Sequence, residues 1–454
     1  MNIFNKIQIG LYRLDIRLVI VVGTLVRLLL IPFTAHPFDV NEWYVYGASK
    51  TLSDINFNGV NFMRPLWLYL ILLQSYFYRF ISTFTGWIAT PIEHISPMFR
   101  PYYGIEWIPG PLFNTIIKFP LLLADVGISL ILYRLVRDHS SPTTAKKVFT
   151  LYYLNPFSIW ITSGWGQSDS LSVFFTVLSL YYILNSHVFR SLFTLFIASL
   201  FKMYAIAFFF PVLMYLIIKE KYYSVFKYLL FIASIMLLYL MLNNTQMQPS
   251  LIRIIMNNLF PNEPVKDVFG YGLTYWSWSL IFPLNYTVWI PISMSILTLL
   301  LTYVLFYVLK NRTENPLKHI IIISTLFFIP FYLSLNYVAE TRVLLLLPFL
   351  TLMVGENIIS FQLYTYISCF AFLYTQKNFP FYLLPIATFN EKILRPLFKL
   401  SAPFRHISGD AIMPSLLGGT LLSILGTLFS LSLLLVFFKA KKQLIHAPKI
   451  SETC

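Results

Sequence analysis

Long apolar runs, separated by short loops rich in lysine and arginine, constrain this chain more than any other feature. The first covers about 18–33, behind Lys6, Arg13 and Arg17. Others lie near 65–87, 113–136, 148–163, 170–185, 188–201, 203–218, 222–242, 288–310, 318–337, 343–357, 359–375 and 412–438. A helix crossing the hydrocarbon layer needs roughly 20 mostly apolar residues, and it satisfies its own backbone N–H and C=O groups there. Charged residues are 11% of the chain and the mean hydropathy is +0.70. A soluble domain usually carries about 25% charge, so that class is excluded, and so is low-complexity disorder. The sequence predicts an all-α fold, a polytopic transmembrane helical bundle forming a single integral membrane domain over 1–454.

Loop charge orders the crossings. Lys and Arg outnumber Asp and Glu by 33 to 18. In a membrane protein that surplus anchors cytoplasmic loops, and it does not call for a nucleic-acid partner. The clusters Arg134, Arg137, Lys146 and Lys147, then Lys219, Lys221 and Lys227, then Lys310, Arg312 and Lys318, then Lys439, Lys441 and Lys442 are expected inside, with the N-terminus. The first run reads as a signal anchor, since no small-residue cleavage site follows it. Parity then requires that one early run does not cross. The 65–87 run, interrupted by Gln74, Ser75, Tyr76, Tyr78 and Arg79, is assigned to an interfacial or re-entrant helix. It lies within a long external loop, 34–112. About twelve crossings remain, with both termini inside. The other external segments are the 243–287 and 376–411 loops and turns at 164–169 and 338–342; Lys377, Lys392, Arg395, Lys399 and Arg405 make 376–411 an exception to the charge rule.

Polar residues gather at the external helix ends. Asp39 and Glu42 follow the first helix, where they could act as a base and its partner or simply cap a short helix beside Trp43. The turn Gly164-Trp165-Gly166-Gln167-Ser168-Asp169 could bind sugar hydroxyls, or be a helical hairpin with Asp169 as N-cap. Lys202 interrupts an apolar stretch and could meet a phosphate or snorkel to the interface. Arg253 is a second cation near aromatic Tyr271, Tyr275, Trp276 and Trp278. Glu340 and Arg342 stand in the 338–342 turn, where they could pair with each other or face the same cavity as Asp39, and Lys118 and Asp125, inside the 113–136 span, are expected to be satisfied by hydrogen bonds to neighbouring helices. Walker A, Rossmann, HExxH and G-x-S-x-G motifs are absent from the sequence. With two Cys and scattered His, neither a disulfide framework nor a metal centre is expected.

These clusters resemble a family. Asp39, Arg64-Pro65-Leu66-Trp67-Leu68-Tyr69, the run from Ile117 to Asp125, Asn155-Pro156 with Trp165-Gly166-Gln167-Ser168-Asp169, and Lys202-Met203 with Pro211 are similar to motifs of the GT-C membrane glycosyltransferases. The mannosyltransferase-related archaeal members allied to GPI mannosyltransferases are the nearest, and the dolichyl-phosphate-glucose-dependent glucosyltransferases of the N-glycan pathway are more distant. The resemblance implies a GT-C-like hexosyltransferase that moves mannose or glucose from a polyprenyl or dolichyl phosphate carrier to a lipid-linked glycan acceptor. The transfer would invert the anomeric carbon on the external face of an archaeal plasma membrane, or on the lumenal face of the endoplasmic reticulum in a eukaryote. It gives Asp39 the role of general base. Lys202, Arg253 and Arg342 would hold the donor phosphate, and Glu42, Gln167, Asp169 and Glu340 would serve as second acid or acceptor-binding groups, with no cofactor or metal. The chain departs from the pattern at Asn61-Phe62-Met63-Arg64-Pro65-Leu66 and at Val338-Ala339-Glu340-Thr341-Arg342, which lacks the family's His. A multi-spanning transporter or lipid flippase is the alternative, and a non-catalytic assembly protein is a third reading. The sequons at Asn243 and Asn285 fall outside and that at Asn311 inside.

Overall fold

The computed structural model describes residues 3–49, 65–86, 89–91, 107–219, 221–227, 286–310, 315–334, 340–379, 381–387, 395–401, 405–408 and 411–445, with a few isolated residues between them. The protein is an all-α, membrane-type helical bundle. Strands among the described residues form two antiparallel ribbons, Thr90–Pro91 with Trp107–Ile108 and Arg405–Ser408 with Ala411–Pro414. The helices used below are, in chain order, α1 (Ile3–Arg13), α2 (Ile16–Phe33), α3 (Pro37–Ser49), α4 (Pro65–Thr85), α5 (Pro111–His139), α6 (Pro142–Tyr153), α7 (Asp169–Leu184), α8 (Val188–Phe201), α9 (Phe209–Ile218), α10 (Tyr286–Lys310), α11 (Pro316–Ser334), α12 (Val343–Gly355), α13 (Phe361–Thr375) and α14 (Leu416–Ile445). Among the described residues α2, α5, α11 and α14 are long and apolar enough to cross a membrane.

Burial separates the inner helices from the outer ones. Every residue of α12 is buried, from Val343 to Gly355, so it is surrounded by protein. On α2, by contrast, Leu18, Val21, Leu25 and Leu29 point outward, and on α14 Leu417, Leu421, Leu428 and Leu435 do the same. Outward apolar rows of this kind belong against lipid tails, which are as apolar as leucine. On α4, Trp67, Leu68, Ile71 and Leu72 are buried while Leu73, Phe77, Phe80 and Phe84 face out. Its crossing with α3 is close, because Gly47 sits on the Ser75 side chain and leaves no room for a Cβ.

Local chemistry explains where the rods break. Asp15 caps α2 by accepting from the Arg17 N–H at 2.8 Å. Ser141 caps α6 by accepting from Thr144 N at 3.1 Å, with Pro142 at the first helical position. The 148–163 run is not one helix. Asn155 accepts from the N–H groups of Phe157 and Ser158 and opens a four-residue helix, Pro156–Ile159. Its amide also donates to Tyr364 and Ser368 on α13, which pins the break to a neighbour. That short helix widens into a π-helix, Trp160–Trp165, and stops at Gly166, whose φ is +92°.

One buried ion pair joins α2 to α5. Arg27 Nε and Nη2 both donate to Asp125 Oδ2, at 2.9 and 2.7 Å, and neither side chain is exposed. Arg27 Nη1 donates to the Gly23 and Tyr153 carbonyls, and its guanidinium lies 4.2 Å from the centre of the Tyr153 ring. Asp125 also accepts from Tyr152, Ser158 and Thr162. Asp125 thus finds its partners on neighbouring segments, as expected from the sequence. Lys118, seven residues earlier and about 10 Å away along the axis, also bonds to other segments rather than to Asp125. At the far end of the bundle, burial pushes the Glu356 carboxyl above its usual range, opposed by a hydrogen bond from Ser140 and by the charge of Lys318 and His139.

A buried pair that loses one member leaves an uncompensated charge. Arg27→Met is therefore expected to destabilise the bundle by about 3–5 kcal/mol, and Arg27→Met with Asp125→Leu to recover most of that loss. Denaturant unfolding in detergent checks both. A single variant as stable as wild type would contradict the assignment.

Candidate functional site: a polar chain at the α2–α3 end

The site starts with a lysine that crosses between segments. Lys118 Nζ, fully buried on α5, donates to the carbonyls of Ile31 and Thr34 at the end of α2 and of Ser163 and Gly164 in the π-helix. The contacts to Ile31, Ser163 and Gly164 measure 3.3, 3.0 and 3.1 Å. Asn114, one turn earlier, donates to the Pro32 carbonyl at 3.0 Å. Helix ends leave their last carbonyls without an internal partner, and α5 supplies partners to those of α2. Gly166 completes the joint. A Cβ there would lie 2.6 Å from Lys118 Cε.

The next residues, Thr34 to His36, lead into α3 and place Asp39 against the π-helix. Asp39 Oδ2 accepts from Trp165 Nε1 at 2.6 Å and from Gln167 Nε2, and His36 Nδ1 lies 3.1 Å from it. The His36 ring stacks on Trp165, 4.3 Å between centres and 6° between planes. Tyr382, from the 376–411 segment, closes on both rings and on Trp160, and it is fully buried. That segment thus contributes to the site wall as well as linking α13 to α14.

From Asp39 the polar chain continues inward. Gln167 Oε1 faces Lys202 Nζ at 3.5 Å, and Lys202 Nζ lies 3.2 Å from Asp169 Oδ2. Tyr204 donates its hydroxyl to Asp169 Oδ1. The Arg342 guanidinium stands 6.0 Å from the centre of the Tyr204 ring, and Tyr332 donates to the Arg342 carbonyl. Asp169 is fully enclosed, whereas Asp39 and Lys202 are 21% and 19% exposed, which makes them the mouth.

Of the residues selected from sequence, Asp39, Gln167, Asp169, Lys202 and Arg342 come together in this chain of contacts. Glu42 is exposed, one turn on from Asp39. Glu340 opens the 3-10 turn Glu340–Arg342 that carries Arg342. Arg253 lies outside the described residues, as do Asn243, Asn285 and Asn311. His36, Trp165, Tyr204, Tyr332 and Tyr382 received no role from sequence. The signals for them were weak: His36 precedes a proline, and Trp165 lies between two glycines. Among the described residues no group of His, Cys, Asp and Glu has the arrangement to hold a metal ion. Two carboxylates, two cations and a wall of stacked rings can hold a phosphate, a cation and sugar faces.

The model of the family "GPI transamidase subunit PIG-U" matches residues 94–260. The matched stretch holds Lys118, Asp125, Trp165, Gln167, Asp169, Lys202 and Tyr204, and it is less than half of the chain. No curated protein matches. The similarity agrees with a polytopic integral membrane protein. It overturns the hexosyltransferase reading: a transamidase subunit belongs to machinery that attaches proteins to a lipid anchor, and no transfer of a sugar from a dolichyl carrier is supported. The transporter alternative gains no support either.

Gly166 is the position where this geometry tolerates least. Gly166→Ala forces both a left-handed φ and a clash with Lys118, at a strain cost of about 1–3 kcal/mol. Gly10→Ala, in a helix with open space around it, is the control and should be neutral or slightly stabilising. Melting temperatures in detergent should fall for Gly166→Ala only.

Proposed function

We propose that this chain is a membrane-embedded, non-catalytic subunit of a transamidase-type assembly. Its polar site holds the head group of a glycosylphosphatidylinositol lipid, on the external face, for a partner subunit to join to protein. The observation that carries this reading is the continuous chain from Asp39 through Gln167, Lys202 and Asp169 to Arg342, whose middle lies in the stretch similar to the transamidase subunit family.

The chemistry fits such a head group part by part. Lys202 and Arg342 match a phosphodiester, Arg342 with its planar fork and Lys202 as a point charge. The faces of Trp165, His36 and Tyr382 offer a surface for a sugar ring. Transamidation breaks one C–N bond and forms another, so the arriving lipid must bring an amine. A protonated amine at the mouth would meet the Asp39 carboxylate. Asp39 is here a binding residue, with Oδ2 already held by Trp165 and Gln167. The acyl-transfer nucleophile is assigned to the partner.

The test is lipid binding by the intact chain in nanodiscs. A synthetic amine-bearing glycosylphosphatidylinositol should bind in preference to phosphatidylcholine. Lys202→Ala and Arg342→Ala should each weaken it by about ten- to a hundredfold, the worth of one charge-assisted contact. Equal affinity for both lipids, or variants that bind like wild type, would contradict the reading.

A further inference from the structure

The opposite end of the bundle carries a feature that the head-group site does not use. Helix α1 is 11 residues long, about 16 Å, which is too short to cross a bilayer. Its sequence is amphipathic: Ile7 and Leu11 fall on one face at helical spacing, and Lys6 and Arg13 share another, with Ile9 beside them. The C-terminal end is docked. Leu11 and Tyr12 pack against the bundle core, Tyr12 meets Phe361 edge-on at 6.5 Å, and Lys147 lies 5.0 Å from the centre of the Tyr12 ring. Before that end, Ile7 is 49% and Ile9 40% exposed.

Charge around α1 is one-sided. Arg13 lies at its end, Arg17 just beyond, and Lys146 and Lys147 on the adjacent α6. Among the described residues no ion pair engages Lys6, Arg13, Arg17, Lys146 or Lys147. Asp15, the acidic residue between α1 and α2, is occupied as the N-cap of α2. Exposed isoleucines beside uncompensated basic side chains are unfavourable in water and favourable at an anionic membrane surface, where the aliphatic groups enter the acyl boundary and the cations meet head-group phosphates.

We infer that α1 is an interfacial helix that binds the anionic lipids of the leaflet at the basic end of the bundle, with Lys6, Arg13, Arg17 and Lys146 as its lipid-facing cations.

Hydrogen exchange on the full chain tests this, in nanodiscs of phosphatidylcholine alone and of phosphatidylcholine with phosphatidylserine. Amides of residues 3–13 should be better protected in the anionic discs. High salt should remove the difference, and Lys6→Gln with Arg13→Gln should reduce it, at about fivefold in protection per removed charge. Ile7→Ser should lower protection in both compositions. Lys221→Gln, at the same end on another segment, should leave the α1 response intact. Equal protection in neutral and anionic discs overturns the inference, and so does a lipid-charge response that the double charge variant leaves undiminished.

Discussion

Everything at the α2–α3 end depends on where the Lys118 amino group goes. It is buried on a helix that also carries the buried Asp125, yet it turns away to the carbonyls of two other segments. Those carbonyls exist as free acceptors because α2 ends near Pro32 and because the π-helix widens the turn at Ser163 and Gly164. In lipid such groups find no water, so a donor from a neighbouring helix must meet them. The lysine meets them and thereby fixes the distance between the start of α3 and the Trp165–Asp169 turn. Asp39, Trp165 and Gln167 can then touch.

The same residues had supported a sugar-transfer enzyme, and the reason is chemical. A pocket for a sugar joined to a lipid phosphate needs cations for the phosphate, carboxylates and amides for the hydroxyls, and rings for the sugar faces. It needs them whether the sugar leaves the lipid or stays on it. An aspartate after the first helix therefore fits recognition of such a lipid as well as catalysis on it. The similarity to a transamidase subunit moves the reading from reaction to recognition while Asp39, Gln167, Asp169, Lys202 and Arg342 stay together in the same chain of contacts.

Legibility in the sequence followed physical range. The all-α bundle was readable because apolar runs and basic loops are local signals, and α2, α5, α11 and α14 lie on four of those runs. Asp39, Gln167, Asp169, Lys202 and Arg342 were readable because polar residues are conspicuous in an apolar chain. The pairing of Asp125 with Arg27 was not, since 98 residues separate them and nothing local distinguishes Arg27 from an anchor. The break within 148–163 was signalled by Asn155-Pro156, but hydropathy alone runs through it. Tyr382 lay beyond reach: a tyrosine in a long loop acquires its role only when that segment folds onto His36 and Trp165.

The central claim is that a joint made by Lys118 holds a site for an amine-bearing phosphoglycan lipid. Mass spectrometry of the lipids that stay with the chain when it is purified from its own membranes tests it most directly, comparing wild type with Lys118→Met at equal helix content. The account predicts that wild type is enriched in a glycosylated, amine-bearing phosphoinositide lipid and that the variant has lost it. Wild type carrying only the bulk membrane lipids, or a variant equally enriched, would contradict the account.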